Sequence, residues 1–578
     1  MSTEEVTEKL SAVEKIKAGS NFLRGNIAEE LGDGKDVFTN ESLQLLKHYG
    51  TYQQDDRDMR AQLRAEGKDK AYSMMVRTRI PGGRLTSDQL LAELDLCDEV
   101  GNTTLRITTR QSLQLHGVLK SNWQRTLARI NEVQLSTLAA CGDVVRNIMC
   151  CPAPHPNDPI HQEMEELTDR LVKHLSPRTR AYHEIWMTDL ETGEEQMVAG
   201  GLDPYEVEPI YGPTYLPRKF KIAIAVPDDN CVDLYANDVG LMAIPENGKI
   251  IGYNVLVGGS FGVTPANKKT FPAVAKRVCF ATPDQVVDVV TEIIKVQRDF
   301  GNRVDRKVAR LKYLIANWGV EKFKAKVEEY YGQPLADPHP ADVTGLDDHM
   351  GWSEQGDGRW FYGLNVENGR IYDDEKIQLK SALREICTTL KPNLRFTPHQ
   401  SILFTDIEPE DKDRLIEILR RHNVTLTEEI STVRRWSMAC VAWPTCGLAI
   451  TESERALPGM IDQLEVELAR LGLSAEKFTM RMTGCPNGCA RPYNCDIGLV
   501  GKASGRYTLF LGGRLLGDRL NTIYKDMVPA EEVIPTLVPI FTYFKQEREE
   551  GETFGDFCHR KGMEDLAAWS EAYTTQMN

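Results

Sequence analysis

The chain has few of the features that mark whole classes of protein. No stretch approaches the ~20 apolar residues of a membrane-spanning helix, so a helical membrane protein is excluded. The opening residues, MSTEEVTEKLSAVEKIKAG, are charged from the start and hold no apolar leader segment. No secretory signal is expected, and the expected compartment is the cytoplasm. Basic charge is in short supply: 69 Lys and Arg stand against 85 Asp and Glu, a formal net charge of −16. General nucleic-acid binding, which needs a basic face, is therefore not expected. No GxGxxG opens a helix after a first strand, and no flavin module is recognisable, so a nucleotide-binding redox module within the chain is not expected.

What remains is ordinary globular material. The 578 residues are 41% hydrophobic and 27% charged, which predicts three or four domains of roughly 150 residues. Thirteen cysteines are an odd number. Disulfides are disfavoured in a reducing compartment, so clustered cysteines read first as metal ligands or reactive groups. Cys97, Cys231, Cys279, Cys387 and Cys558 are scattered and read as small buried apolar residues.

An order of elements recurs. AYSMMVRTRIPGG reads as a strand and Pro-Gly-Gly turn, TSDQLLAELDLCDEV as a helix and TTLRITTRQSLQLHG as a half-buried strand. Later, WFYGLNVENGRI, DDEKIQLKSALREICTTL and PNLRFTPHQSILF repeat the pattern. Arg106 falls on Arg395, Thr108 on Thr397, Gln111 on Gln400 and Ser112 on Ser401 without a gap. NIMCCPAP resembles SMACVAWP, and VLVGG resembles LFLGG. Three such pairs in one order indicate an internal duplication with halves meeting near residue 340. The helical stretch between them, roughly Pro283 to Gly332, is assigned to packing, and residues 1–70 to an arm.

The sharpest chemical signal is four cysteines in two tight pairs: Cys440 and Cys446, then Cys485 and Cys489. Four thiolates suit zinc or a [4Fe–4S] cluster. Zinc ribbons use two-residue gaps; here the gaps are five and three, in apolar Gly/Pro-rich sequence, which favours a buried cluster. Cys495 is read as packing. A cluster stores electrons and needs a partner that does bond chemistry.

Basic residues gather beside strands in the first half: Arg77 and Arg79, Arg106 and Arg110, Arg146, then Arg218, Lys219 and Lys221 in YLPRKFKIAIAV. Lys219 and Lys221 are two apart, so they face one side of a strand and repel unless an anion sits between them. A solvated strand edge is the plain alternative for each cluster. Together, in an acidic chain, they point to a pocket for a small anion, a polycarboxylate or both. Lys268, Lys269, Lys502 and Arg506 read either as further carboxylate ligands or as surface charge.

The motifs SNFLRGNIAEEL, YQQDDRD, RTRIPGG, TRQSLQLHG, RTRAYHEIW, TYLPRKFK, NVLVGG, RDFGNRVDRK, SMACVAWPTC, TGCPNGC and GLVGKASGRYTLFLGG span nearly the whole chain. In them the sequence resembles the sirohaem-dependent sulfite and nitrite reductases, most of all the haemoprotein subunits of the assimilatory NADPH-dependent branch. The resemblance implies an α+β, pseudo-two-fold duplicated fold with three mixed α/β domains around a central cofactor site. Its implied division is an arm over 1–70, a paired ferredoxin-like repeat domain over 71–140 plus 340–425, an anion-site domain over 141–339 and a cluster domain over 426–578. It implies that Cys440, Cys446, Cys485 and Cys489 ligate a [4Fe–4S] cluster and that Cys489 bridges to the sirohaem iron. It places Arg77, Arg146, Lys219 and Lys221 around the bound anion. Arg106, Arg110, Gln114, His116, Arg218 and Asn487 fall near the macrocycle.

The activity implied is six-electron reduction of sulfite to sulfide in sulfur assimilation and cysteine biosynthesis. Lys221 stands where plant-type nitrite reductases tend to carry Asn, which leans towards sulfite, with nitrite the alternative substrate. Relatives often read Cys-Pro where this chain has Cys446-Gly447. ARPYNC after Cys489 is closer to the ferredoxin-dependent plant type, so the electron donor stays open between a flavoprotein subunit and ferredoxin. A zinc-stabilised protein that binds an anion without chemistry is the remaining alternative.

Overall fold

The computed structural model describes residues 10–182, 185–188, 192, 195–199, 207–265 and 267–577. His183 and Glu184 of the RTRAYHEIW motif lie outside these described residues.

The duplication appears as two pairs of sheets. The first sheet runs Thr51–Asp55, Tyr72–Thr78, Leu113–Val118, Leu105–Ile107 and Arg370–Ile371. Its counterpart runs Gly351–Glu354, Trp360–Leu364, Ile402–Ile407, Asn393–Phe396 and Arg84–Leu85. The short edge strands are exchanged: Arg370 pairs with Arg106, while Arg84 pairs with Arg395. Equivalent helices, Ser87–Glu99 and Leu379–Thr389, pack on the two sheets and against each other. The strands read as half-buried are in fact buried on both faces: Leu105–Ile107 is wholly buried, and of Leu113–Val118 only Gly117 is partly exposed, because the face turned away from the helix is covered by the rest of the molecule.

The equivalences extend to backbone detail. Thr108 N–H donates to Ser112 O at 2.8 Å, and Thr397 N–H to Ser401 O at 2.9 Å. Gln111 and Gln400 both take positive φ, 52° and 67°, at the tip of this turn. Each tip sits on the glycine that ends its partner turn. A Cβ on Gly83 would lie 2.4 Å from Phe396 O, and one on Gly369 2.2 Å from Ile107 O, so both turns must end in glycine.

The second pair of sheets follows one plan. Ser437–Ala439, Met480–Thr483 and Ile497–Ala503 are parallel, then Arg506–Leu511 and Thr522–Pro529 return antiparallel. In the first half, Ile222–Ala225 runs parallel to Val239–Glu246, followed antiparallel by Lys249–Val257 and Lys276–Ala281. Parallel bridges from Val145 to Phe220 and from Met149 to Ala223 add the missing first strand. NIMCC and SMAC are thus topological equivalents.

The N-terminal segment read as an arm is integrated. Leu23, Ile27, Phe38, Leu45, Leu46 and Tyr49 enter the main hydrophobic core, and Thr51–Asp55 supplies a sheet strand. Among the described residues, no helix is long and apolar enough to cross a membrane.

Candidate active site

The four paired cysteines sit at the C-terminal ends of two adjacent parallel strands, where loops from such strands converge. Cys440 follows Ser437–Ala439, and its N–H donates to Met482 O at 3.1 Å on the neighbouring strand. Ser453 Oγ accepts from Cys440 N–H at 3.2 Å and donates to Met482 O at 2.9 Å. The second pair follows Met480–Thr483. Gly484 N–H points at Cys440 Sγ, 3.4 Å away, and Asn487 Nδ2 at Cys485 Sγ, 3.5 Å away. Ile450 N–H donates to Gly484 O at 2.7 Å, locking one cysteine loop to the other. A Cβ on Gly484 would lie 2.5 Å from Thr451 O, so only glycine permits this approach.

Burial, reinforced by the charge of Cys489, raises the Cys440 thiol and pushes Cys485 up to about 12. A positive centre that binds thiolate relieves that cost. The spacing separates the two candidate centres. Four thiolates on one zinc at about 2.3 Å stand about 3.8 Å apart. Among the described residues, no three of these sulfurs close to within 4.8 Å of one another. The set is therefore too open for one ion and suits a larger cluster. Cys489 is exposed, while the other three are buried or half-buried. Cys495 is buried, its thiol facing the carbonyls of Pro492 and Ile497, as packing requires.

Cys489 faces the basic residues of the first half. Thr109 Oγ1 donates to its carbonyl at 3.0 Å. Cys489 is close enough to act electrostatically on Lys219. Lys219 and Lys221 lie just before Ile222–Ala225, flanking the buried Phe220. Neither ammonium, nor the Arg218 guanidinium, has a hydrogen-bonding side chain or carbonyl among the described residues. Burial and the charge of Arg146 hold Lys219 well below the usual lysine range; burial and Lys219 do the same to Lys221. Arg218 is pushed down to about 10 and Arg110 to about 9, burial first in both cases. The nearby carboxylates are committed elsewhere. Asp238 is clasped by Arg310 at 2.6 and 3.2 Å, and Asp143 by Arg306 at 2.6 and 2.8 Å.

Arg77 and Arg146 complete the basic wall. Arg77 donates to Cys141 Sγ at 2.8 Å and, with the Gln114 amide oxygen turned towards it, to Gln114. Arg146 donates to the Tyr52 hydroxyl at 3.4 Å and to Gly142 O at 3.3 Å. Arg110 spans Asn237 Oδ1 at 2.8 Å and the carbonyls of Asn147 and Ile222 at 2.6 and 2.9 Å, with its Nε left without a partner. His116 is 1% exposed; Nδ1 meets Gln54 Oε1 at 3.2 Å and Nε2 has no partner. Burial, with Arg370, Arg106 and Arg77 nearby, keeps that imidazole neutral.

One expected cofactor contact is engaged otherwise. Arg106 is 4% exposed, with Nε on Glu454 at 2.7 Å and Nη2 on Ala439 O at 2.8 Å. Glu454 also binds Arg370 and gives its N–H to Cys440 O at 3.2 Å. The arginine expected beside a macrocycle thus braces the Cys440 loop. Lys268, Lys269, Lys502 and Arg506 lie exposed, Lys502 pairing with Asp526 at 3.1 Å.

Sequence reasoning missed the supports. Lys17 is wholly buried, 2.7 Å from Leu216 O and 3.4 Å from Asp143, and so anchors the loop carrying Arg218. Arg310 and Arg491 act similarly from remote segments. The first-half loop after Gly259 reaches the cysteine turn, where Val263 N–H donates to Pro486 O at 2.9 Å. A Cβ on Gly488 (φ 64°) would meet Tyr493 and Phe261 at 3.0 and 3.1 Å.

Comparison with known proteins places this arrangement. A sequence profile described as the nitrite and sulphite reductase 4Fe-4S domain matches residues 166–335 and 431–577. A second, the nitrite/sulfite reductase ferredoxin-like half domain, matches 66–133 and 353–422. The sulfite reductase [NADPH] hemoprotein beta-component of Staphylococcus saprophyticus is 44% identical over 96% of both chains. The protein of the same name from Geobacillus thermodenitrificans is 43% identical over 96% of both. The solved structure of the Mycobacterium tuberculosis NirA protein superposes with a TM-score of 0.77 at 26% identity, covering 96% of this chain and 97% of that one. On the profiles, the full-length identity and the twofold strand plan together, the chain belongs to the nitrite and sulphite reductase family.

Proposed function

We propose that this chain is the haemoprotein subunit of an assimilatory sulfite reductase, carrying sirohaem and a [4Fe–4S] cluster and reducing sulfite to sulfide. The observation that carries the reading is the pair of half-buried ammoniums, Lys219 and Lys221, without a hydrogen-bonding partner among the described residues and beside the exposed cluster cysteine Cys489. Uncompensated buried cations are costly unless an anion joins them. The cysteine spacing supports the cluster. The excess of arginine and lysine supports both a polycarboxylate macrocycle and a small oxyanion.

When bound, the sirohaem and cluster would relay, in one- or two-electron steps from the external donor, the six electrons that take sulfur from +4 to −2. The roles of this chain's residues follow from their chemistry. Cys440, Cys446, Cys485 and Cys489 hold the cluster, with Cys489 turned towards the macrocycle. Arg77 and Arg146 bind the dianion's oxygens through planar forks already fixed by Cys141, Gln114 and Tyr52. Lys219 and Lys221 bring charge at Nζ. Because burial lowers their proton affinity, they release protons more readily than ordinary lysines as oxygen leaves as water. Arg110, Arg218, Gln114, His116 and Asn487 line the macrocycle's side, while Arg106 acts through Glu454.

The electrons come from a separate flavoprotein subunit, with ferredoxin the alternative donor, and the enzyme works in the cytoplasm. The relatives' NADPH-linked names favour the flavoprotein. The 71–140 plus 340–425, 141–339 and 426–578 division is proposed as the working domain map.

The test is the visible spectrum of the purified protein, with iron and acid-labile sulfide assayed on the same sample. Sirohaem bands with about five irons per chain are expected, together with turnover that prefers sulfite to nitrite. A colourless protein without labile sulfide would sink the reading.

A further inference from the structure

A second convergence of ligand-type atoms lies away from the cysteine pairs. Cys151 follows the NIMC segment, Asp229 and Cys231 sit in the loop leaving Ile222–Ala225, and His349 lies in the connector before Gly351–Glu354. One donor atom from each comes within 4.8 Å of all the others. Cys151 Sγ is 3.1 Å from Asp229 Oδ2 and 3.4 Å from His349 Nε2, and Nε2 is 3.1 Å from Oδ2. The edges of a tetrahedron around zinc, with bonds of about 2.0–2.3 Å, are about 3.3–3.8 Å. Cys151, Cys231 and His349 are 3%, 1% and 9% exposed.

The pattern is not that of a catalytic relay. In a relay, the two imidazole nitrogens face opposite partners. Here one nitrogen meets both the thiol and the carboxylate, so the donors aim at a common point. The surroundings hold the donors in place. Asp229 Oδ1 accepts from Cys231 N–H at 3.1 Å and from Asp347 N–H at 3.0 Å, which leaves Oδ2 for the centre. His349 N–H donates to Asp347 Oδ1 at 3.0 Å, and its ring Nδ1 stands 4.0 Å from Asp347 Oδ2. A carboxylate behind the distal nitrogen is the usual support of a metal-binding histidine. His349 also has φ of +58°, a conformation retained where surroundings over-determine it.

We infer that Cys151, Asp229, Cys231 and His349 form a closed four-ligand zinc site, separate from the iron chemistry. Two thiolates, an imidazole and a carboxylate suit a borderline divalent ion, and a full protein ligand set marks a structural rather than a catalytic centre. Cys231, read in the sequence as packing, is thereby a ligand. The ion pins the connector between the repeats to the loop leaving Ile222–Ala225, the strand that Lys219 and Lys221 precede, and so steadies the basic wall.

The experiment is elemental analysis of the full-length enzyme with its cofactors, purified without chelators, together with diffraction recorded on both sides of the zinc absorption edge. About one zinc per chain is expected beyond the irons, with the edge signal at these four residues. In a Cys151→Ser/Cys231→Ser variant the zinc falls at least tenfold, by about the loss a removed ligand causes, while iron and visible bands stay. If that variant does not fold, the zinc-edge signal of the unaltered enzyme decides alone. An enzyme with no zinc at this point after incubation with zinc and desalting overturns the inference. So does zinc retained by the double variant, another element at the site, or a Cys151–Cys231 disulfide found by peptide mapping. Since the readout is zinc and not turnover, its failure is distinct from failure of the reductase reading.

Discussion

Thr109 and Pro398, equivalent residues of the two repeats, present their carbonyls to a single guanidinium: Arg491 Nη1 meets Thr109 O at 3.0 Å and Nη2 meets Pro398 O at 2.9 Å. Nε of the same group binds Asp233. Arg491 lies two residues beyond Cys489, so the cluster loop is tied to both halves at their pseudo-twofold meeting point. Lysine offers one compact head where three directions are needed. Arg491→Lys is expected to lower the thermal midpoint by about 5 °C or more and to hasten loss of the visible bands in air. Unchanged stability in a melting experiment would contradict this role.

Asp143 is buried, which raises a carboxyl, yet Lys17 and Arg306 outweigh burial and hold it well below the usual carboxylate range. A depressed carboxyl stabilises the fold above its unfolded value of about 3.9 and loses that contribution as pH falls further. Asp143→Asn leaves the half-buried Arg306 without its carboxylate and the buried Lys17 with Glu14 alone, at a cost of about 3 kcal/mol. Melting of the two proteins side by side is expected to show a large gap near neutrality that begins to narrow only below about pH 4 and goes on narrowing as the pH falls towards the depressed folded value. A gap independent of pH would count against the charge account.

Lys221 stands alone beside Lys219, so replacing it removes charge and proton without opening a paired carboxylate. Lys221→Asn is expected to lower kcat/KM for sulfite about tenfold more than for nitrite, a difference of about 1.4 kcal/mol in transition-state binding. Equal losses on both substrates would remove Lys221 from substrate choice.

Glu454 holds Arg106 and Arg370 and, through its backbone, Cys440. Glu454→Gln leaves the buried Arg106 and the half-buried Arg370 short of charge, a cost of about 3 kcal/mol. The expected outcome is a lower melting point and weaker iron retention with KM for sulfite unchanged. Normal stability and iron content with weakened sirohaem bands would instead favour a direct role for Arg106 beside the macrocycle.

How much was legible depended on sequence distance. The cysteine pairs were readable because ligands on one turn must be close in sequence, and the repeats because each half obeys the same alternation. Arg106 shows its charge in the sequence but not Glu454, its partner 348 residues away. Lys17 and Asp143 form a pair 126 residues apart, and neither carries a motif. Cys151, Cys231 and His349 converge from three segments, so no spacing rule could join them. Buried ion pairs and convergent donors are properties of packing, and packing is where the sequence reading stopped.

The exchanged edge strands carry a further meaning. Arg84–Leu85 closes the sheet of the later half and Arg370–Ile371 that of the earlier one, so neither half owns a complete sheet. A half folded alone would show the other an unpaired strand edge, a hazard for aggregation. Native pairing is therefore a handshake between distant parts of the chain. Neither sheet reaches its full five strands without a contribution from the other half.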